Sequence, residues 1–414
     1  MLPVKEAESI ILNLVQPPQA ETETEIVELS AAAGRILASP VTSKLDFPHS
    51  DNSAMDGYAV RYADVQSCTE QQPAILKIVE EIPAGSQPQL TLQPGQAARI
   101  FTGACLPEAA DTVVMQEQTR REDDKVLILQ SPEPQAFVRH RASFYQAGTP
   151  LLMPGITLTA PEIAVLAAAQ STQFKVYRRP RVAILSTGNE LIRPDQPLLP
   201  GKIVDSNQYA LAAFVTGCGA LPVPLGIIPD QPEALKTAIS QALSTADMIL
   251  STGGVSVGDY DYVEQILAEL GGQIQVRAVA MKPGKPLTVA AFSSQARQIV
   301  YFGLPGNPVS ALVSCWRFVQ AALNKLAGKP QESWEPSFIK ATTQHELRSG
   351  GKRETYIWGK LQLKAGAYEF QAAAGSQSSG NLINLAQTTG LAMVPIGQTL
   401  IPAGEQVQVL QVAL

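Results

Sequence analysis

Arg181-Val182-Ala183-Ile184-Leu185-Ser186-Thr187-Gly188-Asn189-Glu190 decides the fold. Its first half is a nearly continuous apolar run, the composition of a strand buried on both faces. Its second half turns polar and acquires a glycine, as a loop leaving such a strand does. Further along, Asp247-Met248-Ile249-Leu250-Ser251-Thr252-Gly253 repeats the arrangement. Working outward, Val300–Leu304 reads as another strand and Pro222–Ile228 as a weaker one. Pro232–Leu243 and Tyr262–Leu270 between them carry helical spacing. Strand–helix alternation of this kind predicts a doubly wound parallel sheet. The echo of Leu-Ser-Thr-Gly at 185–188 and 250–253 is read as two strand-to-loop transitions at one sheet edge, not as a domain duplication.

The flanks read differently. In residues 4–16, Val4, Ala7, Ile10, Ile11, Leu14 and Val15 fall at helical spacing. Ala160–Ala169 opens with Pro161-Glu162 in a first helical turn. Between these helices, short β-rich runs such as Ile75–Val79 and Val126–Leu129 are separated by Pro and Gly turns. After about Lys329 the chain returns to short strands and ends in Glu405–Val412. The expectation is an α/β multidomain chain. It has a discontinuous helical linker domain (1–43 and 144–176), an inserted β domain (44–143), a doubly wound parallel-sheet domain (177–328) and a small C-terminal β-barrel (329–414).

A chain of 414 residues is too long for one core, in keeping with several domains. With 45% hydrophobic and 16% charged residues it belongs among ordinary globular proteins. A net charge of −6 argues against coating nucleic acid. Cys68, Cys105, Cys218 and Cys315 form no CxxC pair, which argues against a zinc ribbon and favours reduced thiols. The start, Met1–Glu8, lacks the apolar core of a signal peptide, and no run approaches a membrane span. A cytoplasmic protein is expected.

In an open parallel sheet, ligands bind beyond the carboxyl ends of the strands. Three loops leave such ends here: Ser186-Thr187-Gly188-Asn189-Glu190; Ser251-Thr252-Gly253-Gly254-Val255-Ser256-Val257-Gly258-Asp259-Tyr260-Asp261; and Gly303-Leu304-Pro305-Gly306-Asn307-Pro308. Glycines admit close backbone approach, helix N-termini attract anions, and hydroxyls add donors. Glu190 and Asp261 then stand where a divalent cation sits between protein and phosphate. Met281-Lys282-Pro283-Gly284-Lys285-Pro286 fixes two lysines between prolines, an anion-binding pattern. Asp51–Val60 and Phe101-Thr102-Gly103-Ala104 read as exposed loops of the inserted domain. His49, His140 and His345 show no triad or metal spacing.

Taken together, Asp51–Val60, Thr102-Gly103-Ala104, Ser186–Leu191, Asp205-Ser206-Asn207, Gly253–Gly258 with Asp261, Lys282–Pro286 and Gly303–Pro308 resemble the MoeA family over nearly the whole chain. That family is related to the E domain of gephyrin. The resemblance implies a molybdopterin molybdenumtransferase with four domains. Such an enzyme inserts molybdenum from molybdate into adenylylated molybdopterin and releases AMP, using Mg²⁺. It further implies a homodimer with shared active sites and a molybdopterin adenylyltransferase as a partner, without nucleic acid or membrane. On these motifs Asp56, Thr102, Glu190, Asp261 and Lys282 are the catalytic candidates, with Glu190 and Asp261 toward Mg²⁺. Asp56 and Thr102 are expected to face the cleft from the inserted domain. Arg139, Ser186, Thr187, Gly188, Asp230, Ser251, Gly253, Gly254, Ser256, Gly258, Lys285, Pro305, Gly306, Asn307, Pro308 and Ser376 are the substrate-binding candidates.

Two departures are visible. Where the family has a Gly-Glu-Asp stretch after Val138-Arg139, this chain has Ala142-Ser143-Phe144, and its Gly375-Ser376-Gln377 replaces Gly-Ser-His. The first removes a carboxylate from a cation site, which lowers affinity for a hard ion. The alternatives are a scaffold on the same fold that has lost catalysis, and a molybdopterin adenylyltransferase, whose whole fold is the parallel-sheet domain alone.

Overall fold

The computed structural model describes residues 1–253, 262–293 and 298–412, which divide into two compact units. One comprises 40–153 and 161–172; the other comprises 1–39, 154–160 and 173–414.

The smaller unit is built on a six-stranded sheet. Its strands run in the order Thr112–Met115, Gly57–Val60, Gln96–Ile100, Ala74–Ile82, Lys125–Ile128 and Thr119–Glu122. Alternating side chains send Tyr58, Val60, Ala97 and Val114 to one core and Ala59, Ala98, Ile100 and Val113 to another. Gly57 is fixed by space: a Cβ there would lie 2.0 Å from the Val114 carbonyl oxygen of the neighbouring strand.

The larger unit contains a sheet ordered Leu221–Ile228, Arg181–Thr187, Met248–Thr252, Gln298–Leu304, Pro286–Ser293 and Gln273–Ala278. The first four strands are parallel, as the apolar runs predict. Pro286–Ser293 pairs antiparallel with both Gln298–Leu304 and Gln273–Ala278, so the sheet is mixed at that edge. The wholly apolar strands are explained by two cores. Val182, Ile184, Met248 and Leu250 face one, while Ala183, Leu185, Ile249 and Tyr301 face the other. Helices Pro232–Thr245 and Tyr262–Glu269 cover the second face, and Asn207–Gly217 and Pro308–Ser314 the first.

The N-terminal helix Val4–Leu14 also packs on that first face, through Val4, Ala7 and Ile11. Its Glu8 makes a bidentate pair, 2.7 and 2.9 Å, with Arg317, whose side chain is 4% exposed. Beside their two expected helices, Val4–Leu14 and Ala160–Ala168, the segments 1–43 and 144–176 carry short strand pairs. Thr24–Glu28 pairs with Gln173–Tyr177, and Val41–Thr42 with Pro150–Leu152.

The C-terminal strands Glu354–Lys364, Ala367–Ala372, Phe338–Thr343, Gln406–Gln411 and Gly390–Val394 close into a five-stranded barrel, because the last pairs back onto the first. Ile357, Phe370, Ala392 and Val409 fill it. The short strand Met281–Lys282 adds to it in parallel, with Lys282 opposite Thr355.

Candidate functional site

Two neighbouring cavities of the larger unit share lining residues. The first, about 670 Å³, lies beyond the carboxyl ends of the parallel strands and is lined by Thr187, Glu190, Gly253, Pro305, Gly306, Asn307 and Pro308 among others. This is the positional rule for open α/β sheets at work. Gly253 is required there. Its φ is +87°, and a Cβ would lie 2.3 Å from the Thr187 carbonyl oxygen. Gly188 yields to a different neighbour, since a Cβ would meet the Glu190 carboxylate at 2.7 Å. That carboxylate folds back over its own loop and borders the cavity. Asp230 holds the loop: its carboxylate accepts the Asn189 N–H at 3.0 Å, and Asn189 Oδ1 accepts the Asp230 N–H at 3.2 Å. Asn207, at the start of its helix, reaches the third loop by donating to the Gly306 carbonyl at 2.8 Å.

The hydroxyls divide by strand alternation. Ser186 shares a face with Thr252, whose hydroxyl donates to it at 3.3 Å, but Ser186 itself is fully buried beneath the cavity. Ser251 points to the opposite core, 2.5 Å from the Tyr301 hydroxyl. Neither is among the described residues that line this cavity. Gly254, Ser256, Gly258 and Asp261 lie outside the described residues.

The second cavity, about 740 Å³, is lined by Lys282, Lys285, Pro286 and Asn307 and by Arg348, Arg353 and Glu346 of the barrel. Pro286 and Asn307 border both cavities. Among the described residues four cations stand against one carboxylate here, which makes this the basic end. Gly284 (φ +103°) turns the lysine segment where a Cβ would meet Met281 Cε at 2.7 Å. Sequence reading missed Arg348 and Arg353; they lie far from the lysines in the chain, and only closure of the barrel brings them there. Ser376 is flanked by the lining residues Gly375 and Gln377, and its carbonyl accepts from Asn381 and Asn384.

In the smaller unit Asp56 and Thr102 are brought together. Asp56 Oδ1 accepts the Thr102 N–H at 2.8 Å and its hydroxyl at 2.7 Å. The backbone bond first and the hydroxyl bond second hold the carboxyl below the ordinary carboxylate range, with Arg99 adding a smaller attraction. Arg99 lies over the Tyr58 and Phe101 rings at 5.1 and 4.8 Å. Arg139 sits in a short strand opposite Asn52, within the same Asp51–Val60 motif. Phe144 is 73% exposed, and its N–H donates to the Phe47 carbonyl.

Among the described residues no group of three or more His, Cys, Asp or Glu side chains gathers as for a metal. No described helix is long and apolar enough to cross a membrane.

The family models described as the MoeA N-terminal region (domain I and II), the probable molybdopterin binding domain and the MoeA C-terminal region (domain IV) match residues 2–169, 183–325 and 340–412. The chain is 60% identical to a molybdopterin molybdenumtransferase of Nostoc sp. strain PCC 7120, over 99% of this chain and 94% of the relative. It is 35% identical to that of Haemophilus influenzae, over 90% of this chain and 91% of the relative. The crystal structure of a molybdopterin biosynthesis MoeA protein from Pyrococcus horikoshii OT3 superposes with a TM-score of 0.84 at 27% identity, covering 100% of both chains. This chain therefore belongs to the MoeA family of molybdopterin molybdenumtransferases.

Proposed function

We propose that this chain inserts molybdenum from molybdate into adenylylated molybdopterin and releases AMP, a step in making the molybdenum cofactor. The observation that carries the reading is the pair of cavities sharing Pro286 and Asn307, one at the strand ends and one basic. The strand-end cavity suits a phosphorylated substrate, with glycine-bearing loops for close approach and Thr187, Asn207 and Thr252 for polar contacts. The basic cavity suits molybdate, a dianion, which Lys282, Lys285, Arg348 and Arg353 attract by charge and hydrogen bonding. Asp230 acts through Asn189, keeping the 186–190 loop in place.

Glu190 is the carboxylate we assign toward Mg²⁺ at this cavity, whose described lining also holds Asp205, with Asp261 the second that the sequence offers. A donor set this small fits Mg²⁺, which keeps several waters and uses one or two carboxylates plus substrate phosphates. When bound it neutralises charge on the phosphoanhydride. A homodimer with shared sites and supply of substrate by a molybdopterin adenylyltransferase complete the proposal, in which Asp56, Thr102 and Arg139 are functional residues of the smaller unit. A scaffold reading is disfavoured by Glu190 standing at the cavity. An adenylyltransferase reading leaves residues 2–169 and 340–412 without a role.

The test is incubation of purified protein with adenylylated molybdopterin, molybdate and Mg²⁺. AMP and active cofactor are expected, and omission of either molybdate or Mg²⁺ should suppress both. Tight substrate binding with no AMP under any of these conditions would overturn the reading in favour of a scaffold.

A further inference from the structure

The chain between the barrel strands Ala367–Ala372 and Gly390–Val394 crosses the ground between the two cavities. Gln377, Ser378 and Ser379 line the basic cavity, and Gly380 and Leu382 line the strand-end cavity. The segment is tied down at both ends. Val309 N–H donates to the Ser379 carbonyl at 3.2 Å, and Leu385, 5% exposed, enters the main core. Between these ties Asn384 acts as a clamp. Its Nδ2 donates to the carbonyls of Ala374 at 3.2 Å and Ser376 at 2.8 Å, and its Oδ1 accepts from the buried Trp358 Nε1 at 3.0 Å.

This arrangement gives Leu382 a defined place. It packs partly on the core while facing the strand-end cavity, whereas its neighbour Ile383 is 88% exposed. The same cavity carries Leu191, Ile203 and Val204, set against polar Thr187, Glu190 and Asn207. A cavity with aliphatic and polar contacts matches a flat heterocycle that carries phosphate, apolar on its faces and charged at its end.

We propose that Leu382 is a specificity-determining residue that packs on the ring portion of the substrate, and that Asn384 is the positioning residue that holds it there. The inference rests on the reading of this cavity as the site for adenylylated molybdopterin. It adds that the C-terminal barrel, through this one strap, takes part in recognising the organic substrate.

The experiment measures KM for adenylylated molybdopterin and for molybdate separately, together with the equilibrium Kd of adenylylated molybdopterin without molybdate. Leu382→Ala should raise the KM and Kd of the organic substrate about tenfold, the equivalent of ~1.4 kcal/mol. It should leave kcat and the molybdate KM unchanged, and Leu382→Met, of similar volume, should restore affinity. Asn384→Ala should raise the same two constants. The double variant should be no worse than Leu382→Ala alone, since residues acting as one unit are non-additive. An unchanged organic-substrate KM in Leu382→Ala, a parallel rise of both KM values, or additivity in the double variant would overturn the proposal. If the unaltered protein binds the substrate without releasing AMP, the proposed function fails, yet the Kd comparison still decides for or against Leu382.

Discussion

Asp56 shows how a side chain that pattern reading leaves ambiguous becomes chemically defined once its neighbour is known. Two hydrogen bonds from Thr102 keep its carboxyl lowered, so it remains a carboxylate throughout the range in which most enzymes work. The sign follows. A lowered folded-state pKa means that the favourable pairing is present above the unfolded carboxyl pKa and is lost as pH falls through the folded one. Carbon NMR titration should find Asp56 ionising below ordinary aspartates. Thr102→Val, which keeps the stronger backbone bond, should move it partway up; an unmoved titration would show that the hydroxyl contributes nothing. Asp56→Asn is expected to lower turnover at least tenfold, about 1.4 kcal/mol of transition-state stabilisation, with an unchanged unfolding midpoint. Unchanged turnover would remove Asp56 from the machinery.

At the scale of elements, the strand ends govern the site, and the glycines there are not equivalent. Gly253 has no room beside the Thr187 backbone, whereas a Cβ at Gly306 finds its nearest atom, Gly253 Cα, at 3.8 Å. Gly253→Ala should therefore destabilise by about 2–4 kcal/mol through combined overlap and φ strain. Gly306→Ala should leave the denaturation midpoint in place while still changing substrate affinity. Equal midpoints for the two variants would contradict the packing. The 142–146 loop is a second case. The sequence departure at Ala142-Ser143-Phe144 removes a carboxylate, and Phe144 is exposed on a segment hydrogen-bonded to Phe47. Phe144→Asp is expected to lower the Mg²⁺ concentration needed for half-maximal activity, because added negative charge raises affinity for a hard cation. Superimposed Mg²⁺ titrations of the two forms would show the loop to be irrelevant to the ion.

For the whole molecule, the proposed sharing of sites predicts a dimer in solution by sedimentation, with activity per chain falling on dilution into the monomer range; a fully active monomer would end that model. The same scale shows what was legible in advance. Apolar runs at 181–185, 247–250 and 300–304 announced buried parallel strands because both of their faces meet a core, a demand written into each residue in turn. The C-terminal alternation reads as a small barrel or sandwich, and the pairing of Gly390–Val394 back onto Glu354–Lys364 makes it a barrel. Other features have no local signature. The antiparallel edge depends on the pairing of Pro286–Ser293 with Gln298–Leu304, and the N-terminal helix finds its core far along the chain through Arg317. Arg348 and Arg353 join Lys282 and Lys285 only because the barrel closes and adds Met281–Lys282 to its edge. Ser186 and Ser251 looked alike in sequence and differ in the fold, since strand alternation sends one beneath the cavity and the other to Tyr301. Elements and motifs are local, following from periodicity and backbone preference, whereas which distant side chains share a cavity is a property of the fold, because it depends on contacts between residues far apart in the chain.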